Sequence, residues 1–137
     1  MSRKRPKDAE KQQKKVKKPG SGKAERYIQP SVLLALKANP SYGYELIQQL
    51  PEFGFVADPA PPGMIYRHLR QLEEDGLVTS RWETGESGPA KRVYALTAEG
   101  HEALALWVVY MERRAKRLTG FIDRYRRLCD PPGVRPG

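Results

Sequence analysis

The chain has 137 residues, a single cysteine and a formal net charge of +9 at pH 7. This length predicts one compact domain with tails, and one cysteine cannot form a disulfide within the chain. No apolar run approaches the roughly 20 residues that a membrane span requires, and the N-terminus lacks an apolar signal core. These features predict a soluble protein of the reducing cytoplasm with no membrane partner.

Positive charge is concentrated at the N-terminus. Residues 1–24 contain ten Lys or Arg and two acidic residues, and they carry +8 of the net charge. Because the segment has almost no apolar side chains, it cannot offset the entropy of ordering, and we predict a disordered basic tail over residues 1–25. Such a tail attracts any polyanion, so net charge alone does not indicate specific nucleic-acid recognition. The Pro- and Gly-rich residues 130–137 are predicted to form a second, flexible tail.

Two short helices are predicted to follow the basic tail. The first, Tyr27–Ala38, has apolar residues spaced for one helical face, namely Ile28, Val32, Leu33 and Leu36. It ends before Pro40, since a residue that precedes proline avoids helical backbone angles. Ser41 is then the predicted N-cap of a second helix, Tyr42–Leu50. A Pro-rich connector, Glu52–Gly63, follows.

A third helix is predicted from Pro62 or Gly63 to Asp75, with Gly76 as its C-cap. Its apolar residues form one stripe with i, i+4, i+7 spacing, namely Ile65, Leu69 and Leu72. Arg67 and Arg70 lie on the opposite side. Arginine bonds bidentately to guanine, so this side is a candidate for base contacts. The alternative is that both are solvated charges paired with the nearby carboxylates Glu73, Glu74 and Asp75.

A β-hairpin is predicted next. Its strands are Leu77–Glu83 and Lys91–Leu96, and they are joined by a loop rich in Gly and Ser. The pairing register does not follow from the sequence. Lys91 and Arg92 begin the second strand, and their side chains point to opposite faces. If the hairpin lies beside a DNA backbone, these cations would contact phosphates, which position a protein on DNA but do not distinguish base sequences.

The last predicted helix begins after Thr97, a favourable N-cap, and runs for about 30 residues, or about 45 Å. A heptad seam runs along it. The seam consists of Leu104, Val108, Met111, Ala115, Leu118, Ile122 and Tyr125, followed by Cys129 as a small apolar residue. A small domain cannot cover so long a helix, and a second copy of the chain is the simplest partner.

This order of elements predicts a mainly α fold with a β-hairpin: a winged helix-turn-helix over residues 26–96 and a long dimerisation helix over residues 97–129. In such folds the second helix of the pair enters the major groove, so double-stranded DNA is the predicted partner. A competing interpretation is a protein that binds polyanions or granule surfaces nonspecifically through its basic tail.

Several segments together resemble the PadR family of bacterial transcriptional regulators. They are GYELIQQL (Gly43–Leu50), MIYRHLRQLEEDGLV (Met64–Val78), GPAKRVYALT (Gly88–Thr97) and EGHEAL. The resemblance covers about Tyr27 to Leu128, and the short single C-terminal helix is similar to the smaller PadR subclass. Within that subclass, QLPEFGF, YRHLRQLE and GPAKRVY resemble the polyhydroxybutyrate-responsive repressors. Met64 departs from the family pattern, in which a small residue or Thr is common at this position.

The resemblance implies a homodimeric repressor that binds an inverted repeat in a promoter. The DNA contacts it implies are Tyr42, Gly63, Met64, Tyr66, Arg67, Arg70, Lys91 and Arg92. It also implies an apolar or aromatic effector bound between helices near Trp107 and Met111, and the narrower match makes that effector a polyester. The alternative for Trp107 is that it only packs the long helix against the winged domain.

No pattern in the sequence indicates catalysis. His68 and His101 are far apart, and no Cys/His cluster has the spacing of a zinc site. No glycine-rich phosphate loop follows a strand, and no GxSxG motif is present. We therefore expect neither an enzyme nor a bound metal or cofactor.

Overall fold

A small sheet, four α-helices and two short 3-10 helices form the described part of the chain. The computed structural model describes residues 24–85 and 88–130, so most of the two predicted tails, 1–25 and 130–137, lies outside it. The elements, in order, are a 3-10 helix Ala24–Tyr27, α1 Ile28–Ala38, β1 Ser41–Tyr42, α2 Gly43–Gln49, a 3-10 helix Leu50–Phe53, α3 Pro62–Glu74, β2 Val78–Glu83, β3 Lys91–Leu96 and α4 Ala98–Cys129. The predicted fold class, mainly helical with a hairpin and a long last helix, is confirmed.

The apolar faces predicted for the first and third helices meet in one core. The four predicted apolar residues of α1 are buried, and so is the whole stripe of α3. Leu46 and Leu50 of the second helical segment complete this layer. The connector also contributes, because Val56 and Ala60 are buried in the same cluster. The Pro-rich segment is therefore more than a spacer between helices.

The sheet has a third strand that the sequence did not reveal. β1 pairs with β3, with Ser41 opposite Tyr94 and Tyr42 opposite Val93, and the strand order is β1–β3–β2. The prediction that Ser41 is the N-cap of α2 is therefore wrong. The backbone of Ser41 pairs with β3 instead. Its hydroxyl donates to the Asn39 carbonyl at 3.2 Å. Tyr42 precedes α2 instead, and its backbone N–H donates to Glu45 Oε1 at 2.9 Å.

The hairpin register is fully defined along the two long strands. β2 and β3 pair antiparallel from Val78 opposite Leu96 to Glu83 opposite Lys91. Since facing residues in an antiparallel pair point to the same side of the sheet, Ser80, Trp82, Arg92 and Tyr94 share one face. That face is the one turned toward α3, where the Ser80 hydroxyl reaches Glu73.

A compact junction joins α3, the hairpin and α4. Gly76 ends α3 with φ +80, a left-handed angle that favours glycine, and the next N–H, that of Leu77, donates to Leu72 O at 3.0 Å. Thr97 caps α4 by accepting the Gly100 N–H at 2.9 Å. Its hydroxyl also donates to Gly76 O at 2.7 Å. The predicted N-cap Thr97 is confirmed, and Gly76 is the left-handed residue that follows the C-cap Asp75. The Thr97 hydroxyl thus joins the end of α3 to the start of α4.

Helix α4 packs on its own domain only near its N-terminus. Leu104, predicted in a seam between two chains, is 6% exposed and lies in the core of its own chain, so it has little surface left for a contact with a second chain. The rest of the seam begins at Val108, where α4 leaves the domain. Cys129, at the far end, is exposed in the single chain.

The two glycines of α4 should respond oppositely to alanine. A Cβ at Gly100 would overlap the Leu77 carbonyl oxygen, whereas a Cβ at Gly120 would meet nothing within 4 Å. We expect Gly100→Ala to lower the free energy of unfolding by about 1–3 kcal/mol through overpacking. Gly120→Ala, the matched control, should raise it by about 0.5–1 kcal/mol through helix propensity. Thermal and urea unfolding measure both changes, and equal stability of the two variants would contradict this account of the junction.

Candidate nucleic-acid interface

The outward face of α3 is set by its buried stripe. Because Ile65, Leu69 and Leu72 have no exposed surface, the helix cannot rotate about its axis without exposing them. Arg67 and Arg70, on the other side, are exposed, as predicted.

Two of the three carboxylates predicted as alternative partners of these arginines, Glu73 and Asp75, make other contacts. Glu73 accepts a hydrogen bond from Ser80 at 2.7 Å and lies 3.8 Å from Arg92 in an ion pair. Asp75 accepts from Gln71 at 3.1 Å. Glu73 is thus directed toward the hairpin.

The other residues that the sequence assigned to α3 differ in orientation. Gly63 is exposed at the first turn, and Tyr66 is partly exposed beside α2. Met64 is half-buried and packs against the core, so it lies at the edge of the outward face.

A glycine that sequence reasoning overlooked makes room for Tyr66. A Cβ at Gly43 would lie 2.5 Å from Cε1 and 2.8 Å from the hydroxyl oxygen of Tyr66. No real Cβ contact is that short, so the start of α2 can approach the Tyr66 ring only because residue 43 is glycine. The only sequence signal was a glycine at the first position of a helix, where it has no propensity advantage.

Tyr42, Tyr44 and Lys91 form a second cluster, at the base of the hairpin. The two phenol rings stack with centroids 5.5 Å apart and planes 11° apart, and Lys91 Nζ lies 5.5 Å from each centroid. The Tyr42 hydroxyl donates to Glu83 Oε1 at 2.8 Å, and this hydrogen bond raises the pKa of Tyr42 above its ordinary value, which favours the protonated phenol. Tyr44, absent from the predicted site, is partly exposed here.

Arg92 is held by both neighbouring elements. Its Nε donates to Ser80 Oγ at 2.9 Å, and Ser80 in turn bonds to Glu73. Its guanidinium carbon lies 5.3 Å from the centroid of the Trp82 ring, within the range of a cation–π contact. The sequence placed Arg92 at the DNA backbone, but it gave no sign of these internal contacts.

These side chains surround a hollow of about 310 Å³ between the start of α2, α3 and the hairpin. Its lining is aromatic and cationic: Tyr42, Gly43, Tyr44, Tyr66, Trp82, Lys91, Arg92 and Tyr94. Burial raises the pKa of Tyr94, with an opposing effect from Arg92, so this phenol also stays protonated at neutral pH. Ammonium and guanidinium groups are donors only, and phenols readily donate, which suits an anionic partner rich in acceptor oxygens.

A separate aromatic cluster lies where α4 meets the domain. Trp107 is 6.1 Å from Tyr27 and 5.6 Å from Tyr110 between ring centroids, and Tyr27 is 4.8 Å from Phe55. Trp107 is therefore part of the packing of α4 on its own domain. Beside it lies a hollow of about 370 Å³, lined by Ala103, Leu106, Trp107 and Tyr110. Met111 is half-buried one turn further along.

Within the described ranges, no group of three or more His, Cys, Asp or Glu residues could hold a metal ion. No helix there is long and apolar enough to cross a membrane.

Residues 32–106, from α1 into α4, match the Transcriptional regulator PadR-like family. The chain belongs to the PadR family. Its members are transcriptional regulators rather than enzymes, which confirms the functional class predicted from the sequence. The match includes α3, the hairpin and the clusters around Lys91 and Arg92.

Individual relatives agree with this assignment. The transcriptional regulator Rv3488 of Mycobacterium tuberculosis is 34% identical over 82 residues, which are 60% of this chain and 73% of Rv3488. The crystal structure of a PadR family regulator from Clostridium difficile is 26% identical with a TM-score of 0.62, covering 70% of this chain and 98% of that one.

A third relative was crystallised with nucleic acid. Bacillus subtilis PadR in complex with operator DNA is 26% identical with a TM-score of 0.53. The matched part covers 59% of this chain and 46% of the Bacillus protein, so the likeness spans less than half of that regulator.

The contact between Gly43 and Tyr66 can be tested by substitution. We expect Gly43→Ala to displace the Tyr66 ring but to change the unfolding free energy by less than about 1 kcal/mol, because the atoms that the new Cβ meets are the far end of a partly exposed side chain. Gly63→Ala is the control, since a Cβ there meets nothing within 4 Å. Urea unfolding and the NMR shifts of the Tyr66 ring report the outcome. Unchanged ring shifts in Gly43→Ala would refute the close approach.

Proposed function

We propose that this PadR-family chain is a homodimeric, sequence-specific DNA-binding repressor. The observation that carries the proposal is the exposed arginine face of α3, which lies opposite a fully buried stripe and beside a cationic hairpin. The Bacillus relative bound to operator DNA supports DNA as the partner. In this proposal α3 is the recognition helix and the β2–β3 hairpin is the wing.

The proposed contacts divide by chemistry. Arg67 and Arg70 would bond to guanine edges in the major groove, with Gly63 and Tyr66 against the adjoining backbone. Lys91 would contact phosphate, since its ammonium is exposed and lies over two neutral rings. Met64 would contribute from the edge of the helix. Tyr42, whose hydroxyl is bonded to Glu83, would present its ring rather than its donor.

The far half of α4 supports a second copy of the chain as partner. Its large apolar side chains are exposed and share an arc of about 120° on a helix of 100° per residue. This distal apolar face consists of Leu118, Phe121, Ile122, Tyr125 and Leu128. Phe121 and Leu128, at 75% and 81% exposed, lie outside the predicted heptad seam but on the same side. An exposed apolar face of this kind marks an interaction surface, and a twofold dimer would bury it on both chains at once.

An apolar effector is the proposed signal. The hollow beside Trp107 has a volume within the usual range for ligand sites, and three of its four lining residues are large and apolar or aromatic. A ligand there would contact the helix that joins the winged domain to the dimer, so it could favour one arrangement of the two domains over another. The sequence resemblance to polyhydroxybutyrate-responsive repressors makes a polyester the specific candidate.

Single substitutions should separate base reading from backbone binding. Arg67→Ala and Arg70→Ala should each cost about 1–3 kcal/mol on the cognate duplex and much less on random DNA. Lys91→Ala should weaken both DNAs alike and reduce the slope of log K against log salt by about one. Fluorescence anisotropy over a salt series, with a duplex selected from a random pool by the wild type, provides the measurement.

Deletion of residues 1–24 tests the competing interpretation, in which the protein binds polyanions nonspecifically through its basic tail. The shortened chain should lose nonspecific affinity but keep its preference for the selected duplex. If all DNA binding disappears with the tail, the winged domain does not read DNA. Equal losses on both DNAs for Arg67→Ala would likewise rule out base reading by that residue.

The dimer can be tested with charges placed on one side of α4. Leu118→Lys with Ile122→Lys puts charge in the distal apolar face and should give monomers by sedimentation. It should also lower affinity for a two-half-site duplex by about 10²-fold or more, through loss of linked binding.

A matched pair of lysines tests whether the face, rather than charge itself, matters. Val109→Lys with Gly120→Lys adds the same charge on the opposite side of α4, where both positions are exposed. This control should remain dimeric. A dimeric Leu118→Lys, Ile122→Lys protein would place the interface elsewhere, and a monomeric wild type would refute the proposed dimer.

A further inference from the structure

We infer that Arg92 is a positioning residue, which together with Ser80 and Glu73 sets the wing against the recognition helix, and that it is not a phosphate contact. The inference rests on the proposed DNA-binding function and changes the role that the sequence gave to one of its two wing cations. Lys91 alone then supplies the phosphate contact at the base of the wing.

The three residues come from three different elements. Glu73 lies in the last turn of α3, Ser80 in β2 and Arg92 in β3. The Ser80 hydroxyl is central, because it accepts from Arg92 Nε at 2.9 Å and donates to Glu73 Oε2 at 2.7 Å. A direct ion pair of 3.8 Å between Arg92 and Glu73 closes the triangle. Both strands of the wing are thereby bonded to the recognition helix.

The rest of the Arg92 side chain is also constrained. Its guanidinium packs over Trp82, its partner across the hairpin, at 5.3 Å. An arginine whose Nε and one Nη face internal partners retains fewer donors for DNA than an unconstrained one. Ion pairs exposed to this extent contribute little by themselves, so the geometry depends mainly on the hydrogen bonds through Ser80.

Charge separates the two wing cations further. Glu73 neutralises Arg92, so the pair adds almost nothing to the attraction of a phosphate backbone. Lys91 lies opposite Glu83 in the hairpin, but Glu83 bonds to the Tyr42 hydroxyl and to Arg81, and the Lys91 ammonium lies over the rings of Tyr42 and Tyr44. Counterion release should therefore follow Lys91 and not Arg92.

Substitution of Glu73 tests the inference, because a positioning role and simple charge repulsion predict opposite changes in DNA affinity. A carboxylate beside a DNA-binding surface repels phosphates, so removing an ordinary one should strengthen binding. If Glu73 positions the wing, Glu73→Gln should weaken binding although it removes a negative charge. Glu74→Gln removes the same charge from the adjacent, exposed residue and is the matched control.

The experiment measures affinity of the full-length chain for the selected duplex over a salt series. We expect Glu73→Gln and Ser80→Ala to weaken binding about three- to tenfold, the range of one net hydrogen bond. Glu74→Gln should bind at least as tightly as the wild type. Arg92→Gln should weaken binding without changing the salt slope, whereas Lys91→Gln should lower the slope by about one. A Glu73→Gln protein that binds as well as or better than the wild type overturns the inference, and so does a slope lowered by one in Arg92→Gln.

Hydrogen exchange of the free protein tests the positioning role of Glu73, Ser80 and Arg92 independently of DNA binding. Amides of β2 and β3 should exchange faster in Ser80→Ala and Glu73→Gln than in Glu74→Gln, and thermal unfolding checks that each variant is folded. If the wild type selects no duplex, the proposed function fails, and the exchange rates alone decide whether the three residues hold the wing. Unchanged exchange in both bridge variants overturns the positioning role whatever the DNA result.

Discussion

Three buried side chains on α3 determine which residues can face a partner. Ile65, Leu69 and Leu72 have no exposed surface, and turning the helix would bring them into water. Burying one such side chain is worth about 1.5–3 kcal/mol, so the stripe resists any other rotation. With the rotation fixed, Arg67 and Arg70 face outward while Glu73 faces the hairpin. The same constraint therefore both exposes the proposed reading face and supplies the link to the wing.

The interface combines cations with carboxylates that have structural roles. Glu83 bonds to the Tyr42 hydroxyl, and Glu73 bonds to Ser80 and Arg92. Each carboxylate lowers the net charge of a surface proposed to bind a polyanion. In exchange, each fixes an aromatic or cationic side chain before a partner arrives, which reduces the entropy lost on binding. Gly43 also helps to position an aromatic side chain, because the lack of a Cβ at residue 43 lets Tyr66 lie against α2.

One side of helix α4 packs on the domain near its start and stays exposed further along. Near its start, Leu104 and Trp107 pack against the winged domain, and further along the distal apolar face extends beyond the domain. Arg26 and Arg114 both donate to the Tyr110 hydroxyl at 3.2 Å, just where the packed part ends. A ligand in the hollow beside Trp107 would thus lie between the proposed reading and dimer surfaces, on the one element that connects them.

The sequence by itself determined the features that depend on local spacing: the apolar stripe of α3, its end at Gly76, the N-cap Thr97, the two long strands and the length of α4. These follow from the helical and strand periods and from backbone preferences of single residues. Only the tertiary structure decided that Ser41 pairs in a strand, that Gly43 accommodates Tyr66, that Leu104 packs in its own core and that Arg92 bonds to Ser80 and Glu73. Each of these depends on which distant segments meet, and periodicity along one segment carries no information about its neighbours in space.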